Sequence, residues 1–229
     1  MVRPLFRFFL RLEIRGLTHL TLFSKTIHVS TIANRAYTYD RRYVPTSGVI
    51  FAVNHSSELD AILLPASLPF LSPLMPMFYT SRGRGFYKTS GWRQRLYGGF
   101  IFKLWGSHLV QSGTRDYERS LNTHLELLRG GKSVCIFPEG RKTRDGTVGG
   151  EAHGGVAHLS YRTGAPVVPV RIKGVFRLTL AEFFLRRRTV EVIFGEPLSS
   201  AELFLKGAVP SHDEVKSAAA RILQAIARL

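Results

Sequence analysis

An imidazole and a carboxylate stand five positions apart in the stretch Asn54-His55-Ser56-Ser57-Glu58-Leu59-Asp60. The apolar run at residues 49–53 reads as a buried strand, and Ala61-Ile62-Leu63-Leu64 opens a helical pattern. With Ser57 as the helix cap, Asp60 falls at N3, a capping-box spacing, close enough for its carboxylate to reach back to one nitrogen of His55. The positive end of the helix dipole favours a charged group there. An imidazole whose tautomer is fixed by a carboxylate keeps its other nitrogen free to take a proton, which is general-base chemistry. The competing reading makes Asp60 a helix cap and His55 a loop residue at a strand end, since short motifs recur by chance.

Eighty residues on, Val134-Cys135-Ile136-Phe137-Pro138-Glu139-Gly140-Arg141-Lys142-Thr143-Arg144-Asp145-Gly146 repeats the arrangement. A short apolar strand again runs into a turn, here with a carboxylate, a glycine and three cations. A third block places apolar residues around prolines, Ala165-Pro166-Val167-Val168-Pro169-Val170. In this order the three blocks resemble those of the glycerolipid acyltransferase family, over residues 48–198. That family has a His-x-x-x-x-Asp block and, downstream, Phe-Pro-Glu-Gly-Thr-Arg-Ser.

The resemblance implies an α/β fold like that of glycerol-3-phosphate acyltransferase, a mixed sheet flanked by helices. It implies transfer of a fatty acyl group from acyl-CoA or acyl carrier protein to a hydroxyl of lysophosphatidate or a related lysophospholipid. The donor is a co-substrate, and neither cofactor nor metal is implied. His55 would be the general base and Asp60 the group that orients it. The amides at the start of the helix after Ser57 would be oxyanion donors. No acyl-enzyme is needed, because a thiolate already leaves readily. The second block would hold the acceptor through Phe137, Pro138, Glu139, Gly140, Arg141 and Lys142. Glu139 would meet a glycerol hydroxyl, and Arg141, Lys142 or Arg144 a phosphate, while Gly140 allows close backbone approach. Arg141 stands where the family has Thr, and Lys142, which lacks a bidentate fork, where it has Arg. The family's Ile-Asp-Arg motif is replaced by Leu109-Val110-Gln111, with Arg115 displaced. The runner-up reading is a non-catalytic basic protein that binds lipid or nucleic acid. Nucleic acid is the weaker partner, because the cations are scattered and no helix-turn-helix, RNP or zinc-finger pattern occurs. No Gly-x-Ser-x-Gly elbow marks a hydrolase.

The whole chain has 229 residues and a formal charge of +16, a balance that calls for an anionic partner such as a phospholipid surface, a phosphorylated substrate or nucleic acid. Cys135 is the one cysteine, so no intramolecular disulfide forms, and its place in an apolar strand suits a structural thiol. Arg3, Arg7, Arg11 and Arg15 recur every fourth residue opposite Leu5, Phe6, Phe9, Leu10, Leu12 and Leu17. This predicts an amphipathic N-terminal helix, either lying in a membrane interface or packed on the domain; Phe8 and Ile14 spoil the split. The arginines exclude a signal peptide or a span. The chain thus divides into an N-terminal amphipathic helical segment, 1–45, and an acyltransferase domain, 46–229. The expected location is peripheral, on the cytoplasmic face of a membrane.

The remaining elements must position the two motifs. Strands are expected at 75–80, 108–111, 167–172 and 189–194, and helices at 116–129, 156–163 and 213–229. Residues 18–36 are amphipathic enough for a second helix. Residues 81–97 interleave cations with aromatics, suiting nucleic acid, headgroups, coenzyme A phosphates or simply solvent. His153 and His158 show no metal-ligand spacing.

Overall fold

In the computed structural model, residues 10–23, 47–69, 71–82, 106–110, 116–204 and 209–229 are described. Among the described residues seven strands form one sheet: β1 (Arg11–Arg15), β2 (Ile50–Val53), β3 (Met77–Arg82), β4 (Ser107–Val110), β5 (Ser133–Ile136), β6 (Val167–Lys173) and β7 (Thr189–Phe194). Their order is β1-β7-β6-β2-β5-β3-β4. Strands β6, β2, β5, β3 and β4 run parallel, and β7 is antiparallel to β6. The sheet is therefore mixed, as the sequence implies.

Central strand β2 is buried along its whole length, as a strand covered on both faces must be. Its side chains alternate between two cores. Phe51 and Val53 join Cys135, Val168, Val170, Val190, Val192 and Phe194 on one face. There they meet Leu63 and Leu64 of helix α1 (Asp60–Ser67). Ile50 and Ala52 join Val134 and Ile136 on the other. That face is covered by α3 (Asn122–Arg129), α4 (Gly155–Thr163) and α7 (His212–Arg228), with α2 (Tyr117–Ser120) leading into α3. Cys135 is fully buried, which pushes its thiol well above its usual range and leaves it unreactive. No helix among the described residues is long and apolar enough to cross a membrane.

The N-terminal expectation needs correcting. Residues 11–15 form β1, paired in parallel with β7 in the main sheet, and Leu17–Phe23 forms a 3₁₀ helix. Arg11, Glu13 and Arg15 face solvent while Leu12 and Ile14 turn inward, a period of two that overrides the four-residue spacing of arginines. Ile14, misplaced on the helical reading, belongs to this alternation. Residues 1–9 and 24–45, most of 81–97, Gln111 and Arg115 lie outside the described residues. Expected helix 116–129 is broken at Leu121 into α2 and α3. Two short helices escaped the periodicity, α5 (Leu180–Phe184) and α6 (Ser200–Leu203), each opened by a capping box, Thr179 with Glu182 and Ser199 with Glu202.

Beyond β2, Asn54 continues the sheet with its side chain. Its Nδ2 donates to the Ile172 carbonyl at 3.0 Å, and its Oδ1 accepts from the Ile172 N–H at 2.7 Å. The amide imitates one more ladder residue between β2 and β6 and fixes where the chain leaves the sheet. Asn54→Ala would leave both buried Ile172 groups unpaired. The expected loss is about 2–4 kcal/mol of unfolding free energy, measured by urea denaturation; a loss below about 0.5 kcal/mol would contradict this account.

Candidate active site

Parallel neighbours end at the same edge of a sheet, so the β2–β5 pairing brings both sequence motifs to one place. His55 leaves β2 there and Phe137 leaves β5. Asp60 opens α1 and is completely buried. Its Oδ2 lies 3.0 Å from His55 Nδ1 and accepts the N–H groups of Ser56 at 2.6 Å and Ser57 at 2.8 Å. An ionised carboxylate only accepts, so Nδ1 carries the hydrogen of that bond and Nε2 keeps a lone pair. The His55 side chain is 22% exposed. His55 and Asp60 meet as expected, although the local geometry differs from a Ser57-capped box. Leu59 is the cap residue, Asp60 is the first residue of the helix, and the carboxylate folds back over the preceding turn.

Four amides around the first turn of α1, among them some expected to serve as oxyanion donors, are already engaged. The Leu59 N–H reaches Ser57 Oγ at 3.2 Å and that of Asp60 the Ser57 carbonyl at 3.3 Å. Those of Ile62 and Leu63 both go to the Leu59 carbonyl, at 2.9 and 2.8 Å. The first turn of α1 thus holds His55 and Asp60 in shape and offers none of these four donors to a substrate.

The second motif wraps the first. Phe137 stacks on the His55 ring, with centroids 4.2 Å apart and planes at 21°. The Gly140 N–H closes a turn on the Phe137 carbonyl at 2.9 Å, and Gly140 takes the left-handed φ of 64° that favours glycine. Pro138, buried in that turn, accepts from the His153 N–H at 2.8 Å. The Thr143 N–H donates to the His55 carbonyl at 2.8 Å. Glu139 is buried, and its Oε1 accepts the N–H of His55 itself at 3.0 Å. The expected hydroxyl-binding Glu139 is thus a clamp between the motifs. Lys142 pairs with Glu58 across the same seam, while Arg141 and Arg144 are exposed. Asp145 pins the loop by accepting from Thr147 and Thr143, bonds that draw its carboxyl down to about 2.

Sequence reasoning missed the Asn54 bridge, the Phe137 stack and the clamp role of Glu139. The one available signal was an amide side chain directly after a fully apolar strand.

This fold and this pairing of motifs define a class, and comparison with known proteins agrees. The Acyltransferase family pattern matches residues 35–173, more than half of the chain. The chain belongs to that family. It is 29% identical over 161 residues to the chloroplastic 1-acyl-sn-glycerol-3-phosphate acyltransferase BAT2 of Brassica napus, covering 67% of this chain and 42% of that one. A probable 1-acyl-sn-glycerol-3-phosphate acyltransferase of Mycoplasma pneumoniae is 23% identical over 168 residues, with coverage of 68% and 59%. The chain therefore spans between about two fifths and three fifths of these relatives' length. The crystal structure of PlsC, the 1-acyl-sn-glycerophosphate (LPA) acyltransferase of Thermotoga maritima, shares the fold with a TM-score of 0.55 at 18% identity. That match covers 96% of this chain and 71% of that one.

Burial lifts the Glu139 carboxyl above the ordinary 4.5, against the downward pull of its bond to the His55 amide. A carboxyl with a raised folded-state pKa binds its proton more readily when folded, so its contribution is complete below the unfolded value and is lost as pH rises through the folded one. Wild type should therefore lose stability relative to Glu139→Gln as pH climbs from about 4 towards 7. Parallel urea titrations across that range check the sign; a difference that stays flat or grows with pH would refute it.

Proposed function

We propose that the chain transfers a fatty acyl group from a thioester, acyl-CoA or acyl carrier protein, to a hydroxyl of lysophosphatidate or a related lysophospholipid. The observation that carries this reading is the buried Asp60 carboxylate on Nδ1 of a partly exposed His55, which leaves Nε2 with a lone pair. Membership in the acyltransferase family and the relatives' names support the substrate class.

In the proposed step the acceptor hydroxyl approaches the thioester carbonyl while His55 Nε2 takes its proton. The new ester C–O bond forms and the C–S bond breaks. The proton on the imidazolium passes to the departing thiolate, so the products are an ester and a free thiol. Asp60 holds the tautomer and balances the transient positive charge on the ring. Phe137 fixes the ring plane from its other side. A base placed in this way contributes roughly two to four orders of magnitude in rate. Of the acceptor-binding residues, Arg141 and Arg144 are exposed, and Lys142 could release Glu58 for a phosphate. Phe137, Pro138, Glu139 and Gly140 shape the floor on which that acceptor would lie.

Thiol release from acyl-CoA or acyl carrier protein in the presence of lysophosphatidate is the direct assay. His55→Ala should reduce it by at least about a hundredfold with an unchanged thermal melt. Asp60→Asn should lower kcat with little change in KM, since it misdirects the ring without touching the acceptor. Release unaffected by His55→Ala in a folded protein would reject the mechanism.

A further inference from the structure

The edge of the sheet where His55 lies also carries residues 174–188, which connect β6 to β7. This connection is anchored on its inner side. Leu178 and Phe183 pack on the core. Arg188 pairs with Glu182 and donates to the Phe176 carbonyl at 2.7 Å. The Thr179–Glu182 capping box fixes α5. Its outer side is apolar. Leu180 is 76% exposed and Leu185 58%, with Phe184 and Ala181 exposed between them. Positions 180, 181, 184 and 185 share one face of a helix.

Cations border this apolar face. Arg177, Arg186 and Arg187 are all exposed, and Arg11 of β1 sits level with Thr189 directly after them. Arg177 and Arg186 have positive φ angles, 50° and 54°, a conformation that glycine would adopt more easily. The connection also abuts the second motif, since a Cβ added to Gly146 would come within 2.8 Å of the Phe176 ring. Leu71 and Met75, also exposed and in a loop, sit in a stretch without a charged residue, 68–76, at the opposite edge of the sheet.

An apolar face rimmed by arginines, on a chain of formal charge +16, matches an anionic bilayer in which acyl chains lie beneath phosphates. We propose that α5 and its flanking arginines dock the protein on an anionic phospholipid surface, with Leu180, Phe184 and Leu185 entering the acyl region and Arg177, Arg186 and Arg187 meeting headgroup phosphates. Docked in this way, the edge carrying His55 faces the membrane, where a lysophospholipid resides. The purpose of the surface rests on the acyl-transfer reading. Its test does not, because vesicle partition requires no turnover.

The full chain should sediment with phosphatidylglycerol–phosphatidylcholine vesicles and far less with phosphatidylcholine alone. Leu180→Asp combined with Leu185→Asp should weaken that partition at least about tenfold, and Arg186→Glu with Arg187→Glu should abolish the preference for anionic lipid. A second measurement guards against a misfolded variant. Cys135 is buried, so Leu185→Cys can be labelled selectively with a polarity-sensitive fluorophore. Its emission should shift to the blue on anionic vesicles, while a label at Lys216→Cys on α7 should not respond. Undiminished partition of the double aspartate variant, an unmoved label at residue 185, or no vesicle binding by the wild type would each overturn the proposal. So would a change in oligomeric state of the aspartate variant without loss of lipid binding.

Discussion

The site depends on one constraint, the parallel pairing of β2 with β5. Parallel neighbours lie about 4.8 Å apart and finish at the same edge, so residues some eighty positions apart leave the sheet side by side. Pairing alone would only bring two loops close together. What makes them one unit is the Glu139 carboxylate on the His55 amide, a bond across 84 residues. With Thr143 on the His55 carbonyl, the second motif holds both backbone polar groups of the candidate base. The position of the imidazole is thus set by the sheet and by residues from the other motif as well as by its own loop.

A fully buried carboxylate at Asp60 would be costly without donors. Its Oδ2 has three, and two of them are amides of the turn that it closes. The same oxygen that orients His55 therefore folds the loop carrying His55. Ring orientation and loop conformation cannot be varied independently. Removing the charge while keeping the shape affects mainly the ring, whereas removing the side chain also releases the Ser56 and Ser57 amides.

Much of this was legible in the sequence. Fully apolar runs at β2 and β5, followed by polar turns, gave the buried strands and their exits. Spacing alone set Asp60 within reach of His55, and the family resemblance joined the two motifs. What was not legible depended on tertiary partners. Nothing near Glu139 in sequence indicates that it faces the His55 amide rather than a ligand, and Asn54 shows its ladder role only once β6 lies alongside. At the N-terminus a real four-residue spacing of arginines suggested a helix, yet the buried partners of Leu12 and Ile14 come from β7, so the tertiary sheet decided. Helices α5 and α6 span about one turn, too short for periodicity, and only their Thr179–Glu182 and Ser199–Glu202 caps announced them.

The departures from the family pattern, Arg141 and Lys142, become intelligible once the strengths of the present contacts are compared. Glu139 is buried and bonded to the His55 amide, so withdrawing it to meet a ligand would leave that amide unpaired, at a cost of about 1–3 kcal/mol. The Lys142–Glu58 pair is largely exposed, with side-chain exposures of 44% and 65%. Such pairs contribute about 0–1 kcal/mol, so Lys142 can exchange Glu58 for a phosphate at little cost. Arg141 and Arg144 are exposed already. Under the proposed function, the rigid members of the second motif therefore shape and hold the base, while its weakly committed cations receive the acceptor. Replacing the family's Thr with Arg141 adds a third cation to this rim, so phosphate capture does not depend on the bidentate fork that Lys142 lacks.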